Sequence, residues 1–189
     1  MLFTEDRQPN STYILVPSHS SENRKYIPFD FLSPDSILNN SCFSIPNATP
    51  YHFGILSSFM HMVWVKYTCG RLKSDYRYSN TIVYNNFPWP ESPTDKQKAQ
   101  IEQAAQAVLD ARAQFPESSL ADLYDPLTMP PVLLKAHQEL DKAVDLAYRP
   151  QPFPSEAKRM EFLFELYEKY TAGLFGEEKK GKKKKSAKA

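Results

Sequence analysis

One short segment of the sequence, GRLKSDYRYS at residues 70–79, concentrates side chains that suit recognition of a DNA base. Extended backbone would place Arg71, Lys73, Asp75 and Arg77 along one side, because side chains alternate along a strand. Lys or Arg can donate to the O6 and N7 acceptors of guanine, and Asp can accept from the N4 amine of cytosine. A Lys-x-Asp pair can therefore recognise both halves of one G·C pair in the major groove.

A simpler interpretation of the same residues makes Lys73 and Asp75 an ion pair on the surface of an ordinary loop. Such an exposed pair contributes only about 0 to 1 kcal/mol to stability. The local charge favours an anionic partner, since Asp75 is the sole acidic residue among four basic ones between Lys66 and Arg77. We therefore expect a polyanion to bind here.

Charge is distributed unevenly over the 189 residues, although the net charge is only +1. Residues 1–90 carry seven Lys/Arg against six Asp/Glu, residues 91–176 nine against fourteen, and residues 177–189 seven against two. The last of these parts ends in KKGKKKKSAKA and is predicted to be a disordered tail. This tail either attracts phosphates without regard to sequence or is a solvated end.

Residues 1–90 are predicted to form a region of short strands around one helix. Strands rich in β-branched and aromatic residues are indicated at TYILVP (12–17), KYIPFDFL (25–32), SCFSIP (41–46) and TIVY (81–84). Thr49 and Pro50 provide the N-cap and the first-turn proline of a helix that ends at Gly70.

Residues 91–176 are predicted to form a small helical bundle after the proline-rich break FPWPESP at 87–93. The first helix begins with a capping-box pattern in Thr94-Asp95-Lys96-Gln97. Its apolar stripe comprises Ile101, Ala105, Val108 and Phe115. Further helices are expected over residues 120–124, 132–148 and 155–175. The predicted fold class is therefore α+β.

Several other classes of site and location are disfavoured by the sequence. Cys42 and Cys69 lie in no CxxC or Cys/His spacing, so we interpret them as buried thiols and not as zinc ligands or a disulfide. The four histidines are scattered, and no nucleophile pairs with any of them. No apolar stretch is long enough to span a membrane and the first ten residues lack a signal-peptide pattern, which predicts a cytoplasmic protein without a membrane partner.

Aromatic side chains next to the proline-rich break have two possible roles. Tyr84, Phe87 and Trp89 could stack on exposed bases. Aromatic residues beside prolines more often pack one part of a protein against another. We therefore predict the packing role.

Most of the sequence resembles the MmeI-like enzymes, which are type IIL restriction-modification proteins that methylate adenine in DNA. The resemblance is found in MHMVWVKYTCGRLKSDYRYSNTIVYNNFPWP (60–90), LADLYDPLTMPPVLLKAHQELDKAVDLAY (120–148) and RMEFLFELYEKYT (159–171), and more loosely in YILVPSHSSENRKYIPFDFL (13–32). It implies that residues 1–90 belong to a target-recognition region and residues 91–176 to a C-terminal helical domain.

The resemblance also implies specific site residues and partners. Lys73 and Asp75 fall at positions that recognise one base pair, and Arg77 falls at a second recognition position. The candidate DNA-contacting residues are thus Arg71, Lys73, Asp75, Arg77 and Ser79. The implied partners are double-stranded DNA and a methyltransferase domain, either upstream in the polypeptide or on a separate chain.

The catalytic motifs of these enzymes have no counterpart in the sequence. The full-length enzymes hold S-adenosylmethionine with a glycine-bearing loop and orient the flipped adenine with an NPPY-type motif. Only five glycines occur, none of them in a GxG pattern, and in Asn86-Phe87-Pro88-Trp89 a phenylalanine replaces the first proline of NPPY. We therefore expect no cofactor and no catalytic residue in this chain.

The function expected from the sequence is DNA sequence recognition for a site-specific adenine methyltransferase or restriction-modification enzyme. Two alternatives remain open at this point. One is a free-standing specificity module that binds a separate methyltransferase chain, and the other is a truncated gene product without a function.

Overall fold

The computed structural model of the chain describes residues 8–176, so the predicted Lys-rich tail at 177–189 lies outside the described residues. The strands are β1 (Tyr13–Pro17), β2 (His19–Ser20), β3 (Asp30–Leu32), β4 (Cys42–Pro46), β5 (Gly70–Leu72) and β6 (Asp75–Arg77). The α-helices are α1 (Pro50–Leu56), α2 (Phe59–Thr68), α3 (Asp95–Ala113), α4 (Leu120–Leu123), α5 (Pro131–Tyr148) and α6 (Glu156–Gly176), and a π-helix spans Asn80–Tyr84. The predicted α+β class is confirmed.

The first sheet has the strand order β3-β1-β4, and both outer strands run antiparallel to β1. The strands predicted at 12–17 and 41–46 are confirmed as β1 and β4. The prediction for 25–32 is wrong in its first part, because only Asp30–Leu32 pairs with β1. Pro28 has no amide hydrogen to donate to a sheet, and the residues around it are buried as irregular chain.

The single helix predicted after Pro50 is in fact two helices, with a break at Ser57 and Ser58. Ser58 Oγ donates to the Ile55 carbonyl at 2.6 Å and accepts from the His61 amide at 3.4 Å. Serine side chains compete with a helix for its backbone hydrogen bonds, which accounts for the break.

Two predicted helix starts are confirmed. Thr49 precedes α1, and its backbone amide donates to His52 Nδ1 at 3.1 Å. At α3, the Thr94 amide donates to Gln97 Oε1 at 2.9 Å, and Thr94 Oγ1 accepts from the Gln97 amide at 3.3 Å. This reciprocal pair is the capping box expected from the sequence.

Helix α3 joins the two parts of the protein, because it packs against both α5 and α1. Ile101, Ala105 and Val108 are fully buried, as the helical spacing predicted, while Phe115 is half-buried. One continuous core joins these residues to the buried side chains of α1 and α2. Among the described helices, none combines the length and apolar composition of a membrane span.

A buried polar network connects the helical part to the first sheet. The Arg112 guanidinium of α3 donates to the Phe29 carbonyl at 2.7 Å and to the Tyr124 hydroxyl. The Tyr124 hydroxyl in turn lies 2.7 Å from His137 Nε2 of α5. Burial lowers the pKa of His137 to about 3, so this imidazole is neutral in the folded protein.

The strand predicted at 81–84 is wrong, because Asn80–Tyr84 forms a π-helix. One contact from a distant residue and two from a neighbouring one hold this turn. Trp64 Nε1 donates to the Val83 carbonyl at 3.0 Å, and Asn86 Nδ2 donates to the Thr81 and Ile82 carbonyls at 2.9 and 3.0 Å. These bonds satisfy carbonyl groups that a strand would have paired with a neighbouring strand.

The aromatic residues beside the proline-rich break pack against one another, as predicted, with Phe87 buried and Tyr84 and Trp89 half-buried. Phe87 is 4% exposed, and its ring centroid lies 5.5 Å from that of Trp89. Trp89 also contacts His52 of α1 edge to face, with a centroid distance of 5.7 Å.

Cys42 and Cys69 are free thiols, as predicted, but they are half-buried and not buried. Burial raises the pKa of each thiol. Within residues 8–176, no group of three or more His, Cys, Asp or Glu side chains is placed to hold a metal ion.

Candidate nucleic-acid interface

The segment at residues 70–79 does not form the single extended strand that the sequence predicted. It contains a β-hairpin, in which β5 and β6 run antiparallel and are joined by Lys73 and Ser74. Lys73 has a φ of 57°, in the left-handed region that two-residue hairpin turns commonly require. No residue type at the turn indicated it, because the turn contains neither the glycine nor the asparagine that favours positive φ.

The hairpin register divides the predicted row of polar side chains between two faces. Arg71 pairs with Tyr76, whereas Gly70 pairs with Arg77 and Leu72 with Asp75. Directly opposed residues of an antiparallel pair share a face. Asp75 and Arg77 therefore lie on one face and Arg71 on the other, so the prediction that all four charged residues share one side was wrong.

Lys73 and Asp75 are both exposed at the tip of the hairpin. Within residues 8–176 no ion pair joins them, which removes the main support for the simpler surface-pair interpretation. Asp75 Oδ1 accepts from the Glu22 backbone amide at 3.3 Å. The Lys73 ammonium and the Arg77 guanidinium are available to an external acceptor.

Arg71 is held by neighbours within the protein. Its guanidinium carbon lies 4.1 Å from the centroid of the Tyr76 ring, and Nη1 donates to the Ser74 carbonyl at 2.8 Å. The same Nη1 lies 3.7 Å from the Glu22 carboxylate. These contacts occupy the guanidinium on the face opposite Asp75.

The hairpin is attached to the body of the protein through a second sheet, with the strand order β2-β6-β5. The Tyr78 amide extends this attachment by donating to the Ser18 carbonyl at 2.9 Å. The Tyr78 hydroxyl lies 3.1 Å from His61 Nε2, while His61 Nδ1 lies 2.9 Å from the Leu56 carbonyl. Because a carbonyl can only accept, Nδ1 carries the hydrogen and Nε2 accepts from Tyr78.

Burial makes this anchor below the hairpin insensitive to ordinary changes of pH. Burial raises the pKa of the Tyr78 hydroxyl and lowers the pKa of His61 to about 3. Both groups are therefore neutral near pH 7.

Ser79, the last of the candidate residues, begins the π-helix. Its Oγ accepts from the Ile82 amide at 3.3 Å and lies 3.0 Å from Thr81 Oγ1. The side chain is half-buried, so the local backbone uses most of its hydrogen-bonding capacity.

A groove of about 1000 Å³ lies between the outer side of β4, the loop at residues 34–40 and the π-helix. Among the described residues that line it, none is basic, and Asp35 is acidic. A polyanion therefore finds no cationic partner along those walls, in contrast to the hairpin, where Lys73 and Arg77 are exposed.

Comparisons with known proteins identify the family to which the chain is related. Residues 1–91 match the family model "MmeI, target recognition domain", and residues 93–175 match "MmeI, C-terminal domain". DNA methyltransferase A of Bacillus subtilis (strain 168) is 46% identical over 169 residues, which are 89% of this chain and 19% of that protein.

A solved structure of the type IIL restriction-modification enzyme MmeI in complex with DNA matches the same fold. Its TM-score is 0.84 at 52% sequence identity, over 87% of this chain and 22% of that chain. The chain thus spans about a fifth of the length of each relative. With two consecutive domain models matched in order and the fold shared, the chain belongs to the MmeI family, as its target recognition domain followed by its C-terminal domain.

Proposed function

We propose that this chain recognises the DNA target of a site-specific adenine methyltransferase or restriction-modification enzyme. The observation that carries the proposal is the hairpin tip, where Lys73 and Asp75 are exposed and form no ion pair with each other. The Lys73 ammonium would donate to O6 and N7 of a guanine, and Asp75 Oδ2 would accept from N4 of the paired cytosine. The bond from the Glu22 amide to Oδ1 supports this role, because it holds the carboxylate in place.

Arg77 is proposed to contact a different base pair. It lies on the same face as Asp75, two residues further along β6, which separates the two side chains by about 7 Å along the strand. A two-stranded ribbon fits the major groove, which is about 12 Å wide. Ser79 would lie at the end of this surface, and a phosphate contact from its hydroxyl is part of the proposal.

The helical part is proposed to position the recognition surface and to contact the duplex backbone at a few points only. Its nine basic and fourteen acidic residues disfavour extensive contact with phosphates. Contacts with the first part support the positioning role. Tyr26 donates to Asp141 Oδ2 at 2.7 Å, Lys66 Nζ lies 2.7 Å from Glu156 Oε2, and Tyr148 donates to the Pro88 carbonyl at 2.9 Å.

The catalytic partner is proposed to be a methyltransferase domain, on the same polypeptide or on a separate chain, in the cytoplasm. Support comes from the relatives, which are about five times as long as the segment they share with this chain and include a DNA methyltransferase. The methyl donor S-adenosylmethionine would be bound by that domain.

A charge exchange at the hairpin tip tests the proposed base contact. The change is Lys73→Glu with Asp75→Arg, assayed by selection of bound duplexes from a randomised pool. The exchange puts the acceptor and the donor in each other's places, so the preference at one position should change from G to C. Each good contact gives about 1 to 3 kcal/mol of discrimination, which corresponds to about 5- to 150-fold in affinity.

The matched control exchanges charges on the outer surface of α5, where Lys142 Nζ and Glu139 Oε1 form an exposed pair 2.7 Å apart. Lys142→Glu with Glu139→Arg alters the same charges and should leave the selected sequence unchanged. The proposal fails if the hairpin exchange leaves the preference at every position as it was.

A further inference from the structure

Arg71 lies next to the two proposed base-contacting residues, and although its side chain is 38% exposed, its guanidinium contacts groups of the protein. It shares a face with Tyr76, whose side chain is 3% exposed, and the two groups stack at 4.1 Å. We propose that Arg71 and Glu22 are positioning residues that fix the hairpin turn, and with it the directions of Lys73 and Asp75, without contacting DNA themselves. This inference rests on the proposed function.

The bond from Arg71 to the Ser74 carbonyl closes the turn from one side. Its length is 2.8 Å, and it spans the two residues that join β5 to β6. Lys73 adopts a φ of 57°, a conformation that residues other than glycine adopt rarely. The hydrogen bond from Arg71 to the carbonyl of Ser74, the residue after Lys73, therefore stabilises an otherwise unfavourable turn.

Glu22 connects this bond to the second proposed base contact. Its carboxylate lies 3.7 Å from Arg71 Nη1, and its backbone amide donates to Asp75 Oδ1 at 3.3 Å. A single residue outside the hairpin thus touches both Arg71 and Asp75. A shift of the Arg71 guanidinium or of the Glu22 backbone would therefore also displace the Asp75 carboxylate.

The shape of arginine is what the arrangement requires. A guanidinium is planar, so it can stack on the Tyr76 ring while its edge donates to the Ser74 carbonyl. A lysine ammonium carries the same charge but has no planar group. Arg71→Lys therefore separates the positioning role, which needs the plane, from attraction to phosphate, which needs only the charge.

The test compares Arg71→Lys and Arg71→Met with the parent chain in the randomised-duplex selection and in binding titrations at several salt concentrations. Both variants should lose most of the preference at the base pair that Lys73 and Asp75 recognise, by at least about fivefold. The dependence of log affinity on log salt should stay the same, since no phosphate contact is lost. Glu22→Gln should reduce the same preference without lowering overall affinity.

Arg149 provides matched controls. Its guanidinium carbon lies 3.7 Å from the Phe153 ring centroid, and it donates to the Gln151 and Pro152 carbonyls at 3.1 Å each. Arg149→Lys and Arg149→Met thus break the same kinds of contact at a turn between α5 and α6. They should leave base preference unchanged.

Two results would overturn the inference. In the first, Arg71→Met keeps the base preference but makes the dependence of log affinity on log salt shallower by about 1, and Arg71→Lys keeps the parent dependence. Arg71 would then contact a phosphate directly. If the preference is lost at a base pair that the Lys73/Asp75 exchange does not affect, Arg71 recognises that base itself.

The outcome remains separable from that of the proposed function. If the Lys73/Asp75 exchange leaves the base preference unchanged, the proposed function is refuted. If the exchange inverts the preference, and also inverts it when combined with Arg71→Lys or Arg71→Met, only the positioning role is refuted. Hydrogen exchange of the Glu22 amide in the DNA-free chain gives a second measurement. Arg71→Met should accelerate it, and exchange at the parent rate would contradict the proposed coupling to Asp75.

Discussion

Helix α1 packs closely against α3 at Gly54, and we expect Gly54→Ala to destabilise the protein. A Cβ atom at this position would lie 2.6 Å from Ile101 Cγ2, 3.2 Å from Ala105 Cβ and 3.3 Å from the Ile101 carbonyl oxygen. Carbon atoms in contact normally stay about 3.5 to 4.0 Å apart. The first distance is thus about 1 Å too short, and the backbone carbonyl restricts how far the helix can yield.

The sign of the effect depends on two opposing contributions. Alanine gains up to about 1 kcal/mol over glycine inside a helix. An added methyl group in a well-packed core costs about 1 to 3 kcal/mol. Because Ile101 Cγ2 is attached directly to its Cβ and moves only with the side chain as a whole, we expect the cost to exceed the gain. The net loss should be about 1 to 2 kcal/mol, or about 2 to 8 °C in melting temperature.

Urea unfolding of the parent and of Gly54→Ala measures this difference, and Gly70→Ala is the matched control. A Cβ at Gly70 would meet nothing within 4 Å, and the position has no positive φ. Gly70→Ala should therefore change stability by no more than about 1 kcal/mol, in the stabilising direction. The packing argument is refuted if Gly54→Ala is as stable as the parent or more stable.

Two further predictions concern buried polar groups. Arg112→Met leaves the Phe29 carbonyl and the Tyr124 hydroxyl without their donor. Urea unfolding should show a free energy of unfolding lower by about 3 to 5 kcal/mol. A loss below about 1 kcal/mol would contradict the importance of these hydrogen bonds. Burial raises the pKa of Asp141 to about 6, so the folded state binds its proton more tightly than the unfolded state, and stability should fall as pH rises from about 4 to about 6. Asp141→Asn should flatten that part of a stability–pH curve, and an identical curve for both proteins would disprove the assignment.

The elements that the sequence predicted correctly depend on neighbours close in the chain. The capping box from Thr94 to Gln97 spans four residues, and the buried stripe of α3 repeats every three to four residues. Local signals of this kind survive folding unchanged. For the same reason, the α+β class and the helical second part could be read from the sequence.

The features that the sequence missed depend on residues far apart in the chain. The π-helix at Asn80–Tyr84 is anchored by Trp64, nineteen residues before the carbonyl it binds. The Arg112 guanidinium reaches the Phe29 carbonyl, eighty-three residues away. Tertiary contacts of this kind override local propensity, and no pattern of residue spacing in the sequence predicts them.

The candidate site was predicted in its residue types but not in its geometry. Lys73 and Asp75 could be selected from chemistry and from the family resemblance. The place of Arg71 could not, since it follows from a turn whose residues do not favour positive φ. One reversal of the chain therefore places Arg71 against Tyr76, on the face of the hairpin opposite Asp75.

If Lys73 contacts a base as proposed, the left-handed backbone at this residue restricts which side chains can make that contact. Side chains branched at Cβ are strained at positive φ, so valine, isoleucine and threonine are disfavoured there before any base is considered. The residues left for that position are unbranched at Cβ, among them Lys, Arg, Glu, Gln, Asp and Asn, which include the donors and acceptors that distinguish one base edge from another. Under the proposed function, substitutions among these few residues would change the recognised base and leave the backbone as it is.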